Sequence, residues 1–137
     1  MSDEELASLD AVRMIVTDFP GTPCRVSLQD AQVGDEVILV SFTHLEVGSP
    51  YHARGPVFVR KDVPSASLSP NQVPDMLKSR MLSLRAYNSQ RMMLDATVTP
   101  GESAESAIQA FFANPETEVI HIHFAKQGCF ACSAVRA

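Results

Sequence analysis

One helical pattern carries a single apolar stripe, and this stripe most constrains the fold. Five apolar residues recur at spacings of three and four and so share one helix face: Ala104, Ala107, Ile108, Phe111 and Phe112. The stretch from Thr99 to Glu102 has a capping threonine, a proline at the first helical position and a glutamate three residues after the cap, and Asn114-Pro115 ends the pattern. The sequence predicts one long helix over about 100–113 whose stripe packs on a sheet.

The rest of the chain supplies that sheet, because it alternates with the period of two that is typical of strands. The predicted strands cover about 12–16, a short segment from Cys24 to Leu28, 36–44, 57–60, 81–87, 91–98 and 119–124, and the tail could form a last edge strand. The run 36–44 is apolar on both faces, as in a central strand. Asn88-Ser89-Gln90 between two alternating runs indicates a hairpin with a three-residue loop.

The strands outnumber the helices, so the predicted class is α+β. We expect a mainly antiparallel β-sheet of about six to eight strands, with the long helix and a short helix over about 74–80 packed on it. At 137 residues the chain fits one domain, predicted to cover 11–137 after a frayed acidic leader at 1–10.

Charge and hydropathy limit the location and the partners. The acidic start and the lack of an apolar segment behind it argue against export, so we expect a cytoplasmic protein. The longest apolar stretch, Val37 to Val40, is far shorter than the roughly twenty residues that cross a bilayer, so we expect no membrane span. A net charge of -5 opposes attraction to phosphate backbones, so nucleic acid is not an expected partner.

Imidazoles and thiols near the end of the chain are candidates for chemistry. His121 and His123 are two apart on a predicted strand and leave the same face, and Cys129 and Cys132 follow closely. Zinc accepts such ligands, so His121, His123, Cys129 and Cys132 form an alternative metal set, with Cys24 as a further candidate ligand. We favour no metal and no cofactor, because no second CxxC closes the site and residues three apart on a strand face opposite ways.

A covalent mechanism is a second interpretation of these residues. Cys129 could act as a nucleophile with His121 or His123 as its base if the turn after the strand folded back. A thioredoxin-like reaction is disfavoured because only five residues follow Cys132, too few for the required helix. His44, at the end of the central strand, is expected to face solvent or to be hydrogen-bonded, and Cys24 is expected to point toward a core.

Several arginines lie within or beside predicted strands, where a carboxylate or a ligand could hold them. Arg85 and Tyr87 share a strand face and form the most site-like pair, since a guanidinium beside a phenol suits a carboxylate or phosphate. The sequence has no GxSxG elbow, no P-loop, no GxGxxG after a strand and no HExxH, which disfavours hydrolase, nucleoside triphosphatase and dinucleotide-binding classes.

Several ordered motifs together carry a resemblance. They are Pro23-Cys24-Arg25, Ser49-Pro50-Tyr51 leading into Gly55-Pro56-Val57-Phe58-Val59, Arg85-Ala86-Tyr87, and His121 with Gly128-Cys129. Over about residues 12 to 136 the chain resembles domain of unknown function 1203. The resemblance implies a small bacterial domain with no named activity, and it directs attention to Cys24, Arg25, Tyr51, Arg85, Tyr87, His121, Gly128, Cys129 and Arg136.

Three functional hypotheses follow. The first is a binding or enzymatic domain with a pocket for a small anionic or polar molecule, with Cys129 and His121 as catalytic candidates and Arg85, Tyr87, Arg25, Tyr51 and Arg136 as ligand-binding candidates. The second is the zinc-type metal protein described above. The third is a non-catalytic interaction module that forms a homodimer or extends a partner's sheet through an exposed edge strand.

Overall fold

The computed structural model describes residues 1–45 and 48–136. Its strands are β1 (Ala11–Ile15), β2 (Glu36–Leu45), β3 (Ala53–Arg60), β4 (Met81–Tyr87), β5 (Met93–Pro100), β6 (Val119–Phe124) and β7 (Phe130–Val135). Its helices are α1 (Asp3–Ser8), α2 (Asp75–Lys78) and α3 (Ala104–Phe112), and a 3₁₀ turn, Gly101–Ser103, leads into α3. The predicted α+β class is confirmed. None of the described helices has the length and apolar character to cross a bilayer.

The strands form two antiparallel sheets, so the prediction of one sheet was wrong. Strands β1, β2 and β3 form the first sheet with β2 in the centre, and the second has the order β5-β4-β6-β7. The division follows the chain, because the irregular connection 61–74 separates the first three strands from the rest. The predicted central position of 36–44 is confirmed within the smaller sheet, and the tail does form an edge strand, β7.

The main core lies on one face of the four-stranded sheet. Alternate residues of β4 and β6 point into it and are almost fully buried: Leu82, Leu84, Ala86, Ile120, Ile122 and Phe124. The stripe of α3 packs against these residues, as predicted. Gly101 lets the start of α3 approach α2, since a Cβ there would lie 1.7 Å from the carbonyl oxygen of Leu77. The opposite face of this sheet is also covered, but its side chains do not belong to this core cluster.

The single long helix predicted over about 100–113 does not form. Thr99 is not a helix cap, because it pairs with Leu82 in the β4–β5 ladder, and β5 continues to Pro100. The helical segment therefore begins at Gly101 as a 3₁₀ turn, and α3 has nine residues. The β4–β5 strand pairing outweighs the local capping signal, because its hydrogen bonds satisfy the backbone N–H and C=O groups of this segment.

Two further segments lie near the start of the chain. Within residues 1–10, Ser2 and Glu5 form a capping box for α1, and Leu6 is buried. Cys24 to Leu28 is a turn and not a strand, because the Leu28 amide donates to the Cys24 carbonyl oxygen and Leu28 has φ +55°. Cys24 is nevertheless fully buried, as its predicted inward orientation requires.

Candidate functional site

The face of β6 opposite the main core carries its two histidines. The six residues of β6 are all buried, and alternation places His121 and His123 together on this side. Antiparallel pairing places Arg85 of β4 opposite His121 and Ser83 opposite His123. The sequence motifs Arg85-Ala86-Tyr87 and His121-Ile122-His123 thus meet on one surface because their strands are neighbours.

A third histidine reaches this surface from the other sheet. His44, near the end of β2, has its ring centroid 4.9 Å from that of His123 and 5.9 Å from that of His121. It also stacks on Phe130 of β7, with centroids 5.1 Å apart and planes 4° from parallel. Contacts between the two sheets therefore build part of this surface.

Two tyrosines extend the aromatic wall. The ring of Tyr87 lies 5.3 Å from that of His121, and Tyr51 lies 5.9 Å from Tyr87. Burial raises the pKa of the Tyr87 phenol against the opposing effect of the Arg85 charge. We call the whole surface the histidine face, and it comprises His44, Tyr51, Arg85, Tyr87, His121, His123 and Phe130.

Hydrogen bonds fix the protonation of His123. Its Nδ1 lies 3.0 Å from the carbonyl oxygen of Gly128, which can only accept, so Nδ1 carries the proton. Its Nε2 lies 3.4 Å from Nη1 of Arg85, which can only donate, so Nε2 offers its lone pair. This arrangement requires a neutral imidazole, with Arg85 directed at it.

All three imidazoles are held neutral at physiological pH. Burial lowers the pKa of His121 to about 4, and a positive charge on His44, Arg91 or Arg85 acts in the same direction. Burial also lowers the pKa of His123 to about 4, and the Gly128 hydrogen bond opposes this effect only in part. Burial, with the Arg85 charge, lowers the pKa of His44. The positive charge of Arg85 thus acts on all three imidazoles.

Two polar groups on the histidine face lack partners. Nδ1 of His44 and Nδ1 of His121 are buried and make no hydrogen bond within the described part of the chain. Over the same residues, Arg85 is in no ion pair with a carboxylate, and its two hydrogen-bond contacts are both long at 3.4 Å. A buried polar atom without a partner costs about 1–3 kcal/mol, so these groups lower the stability of the fold.

The two thiols predicted to join these histidines lie on the other side of the sheet. The Phe124 amide donates to the Cys129 carbonyl oxygen, and both residues, with Cys132, pack on the main core. Cys129 therefore does not meet His121 as a nucleophile meets its base, and the predicted metal set is divided between two faces. Across residues 1–45 and 48–136, no group of three or more histidine, cysteine, aspartate or glutamate residues is arranged to hold a metal ion.

Two other predicted ligand-binding residues lie away from the histidine face. Arg136 donates to the carbonyl oxygens of Asn114 and Thr117 and covers the ring of Phe112, so it secures the end of α3. Arg25 lies beside Cys129 on the core side. Of the five predicted ligand-binding residues, the structure brings Arg85, Tyr87 and Tyr51 together, with His121, and separates the other two.

Comparison with known proteins identifies one family. The family model described as "Protein of unknown function (DUF1203)" matches residues 21–136. The chain belongs to this family. The resemblance noted in the sequence is thereby confirmed, and no specific activity accompanies it. No curated protein matches the chain, and no solved structure does.

Sequence reasoning missed two members of the histidine face. His44 was expected to face solvent or to be hydrogen-bonded, yet its Nδ1 is buried without a partner. Phe130 lies among the imidazoles. The sequence did not predict this, because no local pattern distinguishes a phenylalanine near the end of the chain from one in an ordinary core. Alternation does place Phe42 with His44 on β2, and both rings contact Phe130, with His44 stacked on it and Phe42 tilted at 42°. Only the packing of the two sheets shows that this strand end covers β6.

Proposed function

We propose that the histidine face binds a small anionic molecule, with Arg85 as its charged contact. The observation that carries this proposal is that Arg85 is in no ion pair within the described chain, on a surface where two buried imidazole nitrogens lack partners. A guanidinium donates up to two parallel hydrogen bonds to a carboxylate or phosphate, and the imidazoles can supply further donors.

The charge balance of this surface favours an anion over a cation. Arg85 lowers the pKa of each of the three histidines, which means that its charge already opposes another positive charge there. A bound anion would offset the positive charge of Arg85. The rings of Tyr51, Tyr87 and Phe130 provide apolar walls, so a planar carboxylate such as benzoate should bind more tightly than acetate.

The test is thermal unfolding of the purified chain with inorganic phosphate, acetate or benzoate, each against sodium chloride at equal ionic strength. Selective binding to the native state stabilises it by RT ln(1 + [L]/Kd), so the midpoint should rise with anion concentration. Arg85→Met should abolish the rise. Arg54→Met is the matched control, because Arg54 is exposed on β3 and, among the described residues, its side chain hydrogen-bonds only to Ser41.

Two outcomes would overturn the proposal. One is an unfolding midpoint that none of the three anions raises above the sodium chloride control. The other is a full anion-dependent rise that persists in Arg85→Met, since the binding site would then lie elsewhere. A loss shared equally by Arg85→Met and Arg54→Met would likewise indicate non-specific attraction to net charge.

A further inference from the structure

A second arginine without a carboxylate partner lies on the core side of the four-stranded sheet. Arg25 donates from Nε to the Phe130 carbonyl oxygen at 2.9 Å and from Nη1 to the Pro23 carbonyl oxygen at 2.6 Å. Its Nη2 donates to Sγ of Cys129 at 3.0 Å. Within residues 1–45 and 48–136, the thiol is the only acidic group that this guanidinium contacts.

Arg80 shows what the same environment looks like when a carboxylate is present. The guanidinium groups of Arg25 and Arg80 lie 5.0 and 5.2 Å from the centroid of the Phe124 ring. Arg80 makes two hydrogen bonds to Asp30, at 2.6 and 3.0 Å. Burial lowers the pKa of Arg25, and the sulfur of Cys129 is the main group that opposes this effect. The Cys129 sulfur therefore accepts a hydrogen bond from Arg25, as the Asp30 carboxylate does from Arg80.

A small cavity gives access to this sulfur. It measures about 140 Å³, and its lining includes Pro20, Arg25, Phe58, Phe124, Gln127 and Cys129. A water molecule in the liquid occupies about 30 Å³, so the cavity admits a molecule of a few heavy atoms. Both the guanidinium and the thiol line the cavity, so a small reactant would meet both groups.

The other two cysteines provide an internal contrast. Cys24 is fully buried, although backbone hydrogen bonds from Ser27 and Arg60 help to lower the pKa of its thiol against the opposing effect of burial. Burial raises the pKa of Cys132 to about 12. Neither thiol contacts a guanidinium within hydrogen-bond distance in the described residues. Of the three, only Cys129 combines a cationic neighbour with an open cavity.

We propose that Cys129 is an oxidisable cysteine, which Arg25 activates and which reacts with small peroxides entering this cavity. A thiolate is the nucleophile in such reactions, and the Arg25 guanidinium lies 3.0 Å from the Cys129 sulfur, where it can stabilise negative charge in the transition state. The sulfur attacks one peroxide oxygen, an S–O bond forms and the O–O bond breaks. The sulfur is oxidised to a sulfenic acid, and the other peroxide oxygen leaves as hydroxide, which takes up one proton, equal to the one that the thiol released, and becomes water. The guanidinium also stabilises the negative charge on the departing oxygen.

The first experiment uses the wild-type chain alone. The reduced protein is treated with one equivalent of hydrogen peroxide, trapped with dimedone, digested and mapped by mass spectrometry. We expect the sulfenic adduct at Cys129, formed at least tenfold faster than peroxide consumes glutathione under the same conditions. Adducts at Cys24 or Cys132 in its place would overturn the proposal. So would a Cys129 rate no higher than that of glutathione.

A second experiment tests the role of Arg25. Arg25→Met should lower the oxidation rate of Cys129 about tenfold, whereas Arg25→Lys should retain part of the rate because it keeps the charge. Arg54→Met is again the matched control and should leave the rate unchanged. Equal rates in Arg25→Met and wild type would show that the guanidinium does not activate the thiol. If the Arg25 variants do not fold, the wild-type comparison among the three thiols decides the question.

Discussion

The two faces of β6 are equally buried and chemically opposite. Ile122 is 2% exposed on the side that packs against α3, and His123 is 1% exposed on the other side. Both residues belong to one strand and are adjacent in sequence. The difference between the faces therefore does not come from depth in the protein, and it must be explained by what each face contacts.

The apolar face of β6 stabilises the fold, whereas the histidine face lowers its stability. Burial of apolar surface contributes about 25 cal/mol per Å², and the isoleucines and Phe124 gain this in full. The histidine face instead contains two buried imidazole nitrogens without partners and an arginine without a carboxylate within the described chain. A protein that keeps such groups at a cost to its stability does so most often at a functional site.

A substitution on the apolar face of β6 should change the free energy of unfolding most. Ile122→Ala removes three buried carbon atoms from the main core and should lower the free energy of unfolding by about 2–5 kcal/mol. Urea denaturation followed by circular dichroism measures this. Val98→Ala on the edge strand β5 is the control, since Val98 is 62% exposed and should change stability by less than about 0.5 kcal/mol. Equal effects at both sites would contradict the assignment of the core.

The next effect concerns pH and the histidine face. His121 and His123 have folded-state pKa values of about 4, below the ordinary 6.5, so the unfolded chain binds protons between these values that the native chain does not. The free energy of unfolding should therefore fall as pH is lowered from 6.5 toward 4, and rise again with pH. Between pH 7 and 5 the loss is at most about 2 kcal/mol for each histidine.

Urea midpoints at pH 7, 6 and 5 measure this dependence while most carboxylates remain ionised. His52→Gln is the control, because His52 is exposed in the loop before β3. Its removal should leave the change of the urea midpoint with pH the same as in the wild type. A wild-type stability that stays flat over this range would mean that the imidazoles accept protons freely in the native state. The histidine face would then be solvated and not a closed site.

The smallest effect should come from His121→Leu, which replaces an imidazole lacking a partner at Nδ1 by an apolar side chain of similar size. Removing an unsatisfied buried polar group should leave stability unchanged or raise it by about 1 kcal/mol at pH 7. The same variant should weaken anion binding and remove part of the pH dependence. A loss of stability comparable to that of Ile122→Ala would instead assign His121 a structural role.

How much of the candidate site was predictable depends on the range of the interactions involved. Alternation on a strand is local, and it placed Arg85 with Tyr87 and His121 with His123 correctly on shared faces. The pairing of Cys129 with His121 required a fold-back of the chain. The turn Ala125–Gln127 instead keeps the hairpin alternation, so Cys129 stays on the side of Phe124. A pairing across a turn depends on its backbone path, which residue types alone do not specify.

Local patterns were enough to predict the α+β class, most strand positions, the amphipathic face of α3 and the buried Cys24, because these follow from periodicity and turn residues over a few neighbours. The division into two sheets, the place of Thr99 in a strand and the contact of His44 with His121 and His123 became visible only in the folded chain. These features depend on contacts between residues that are far apart in sequence, such as His44 and His123. A pattern over a few neighbouring residues contains no information about the free energy of such contacts.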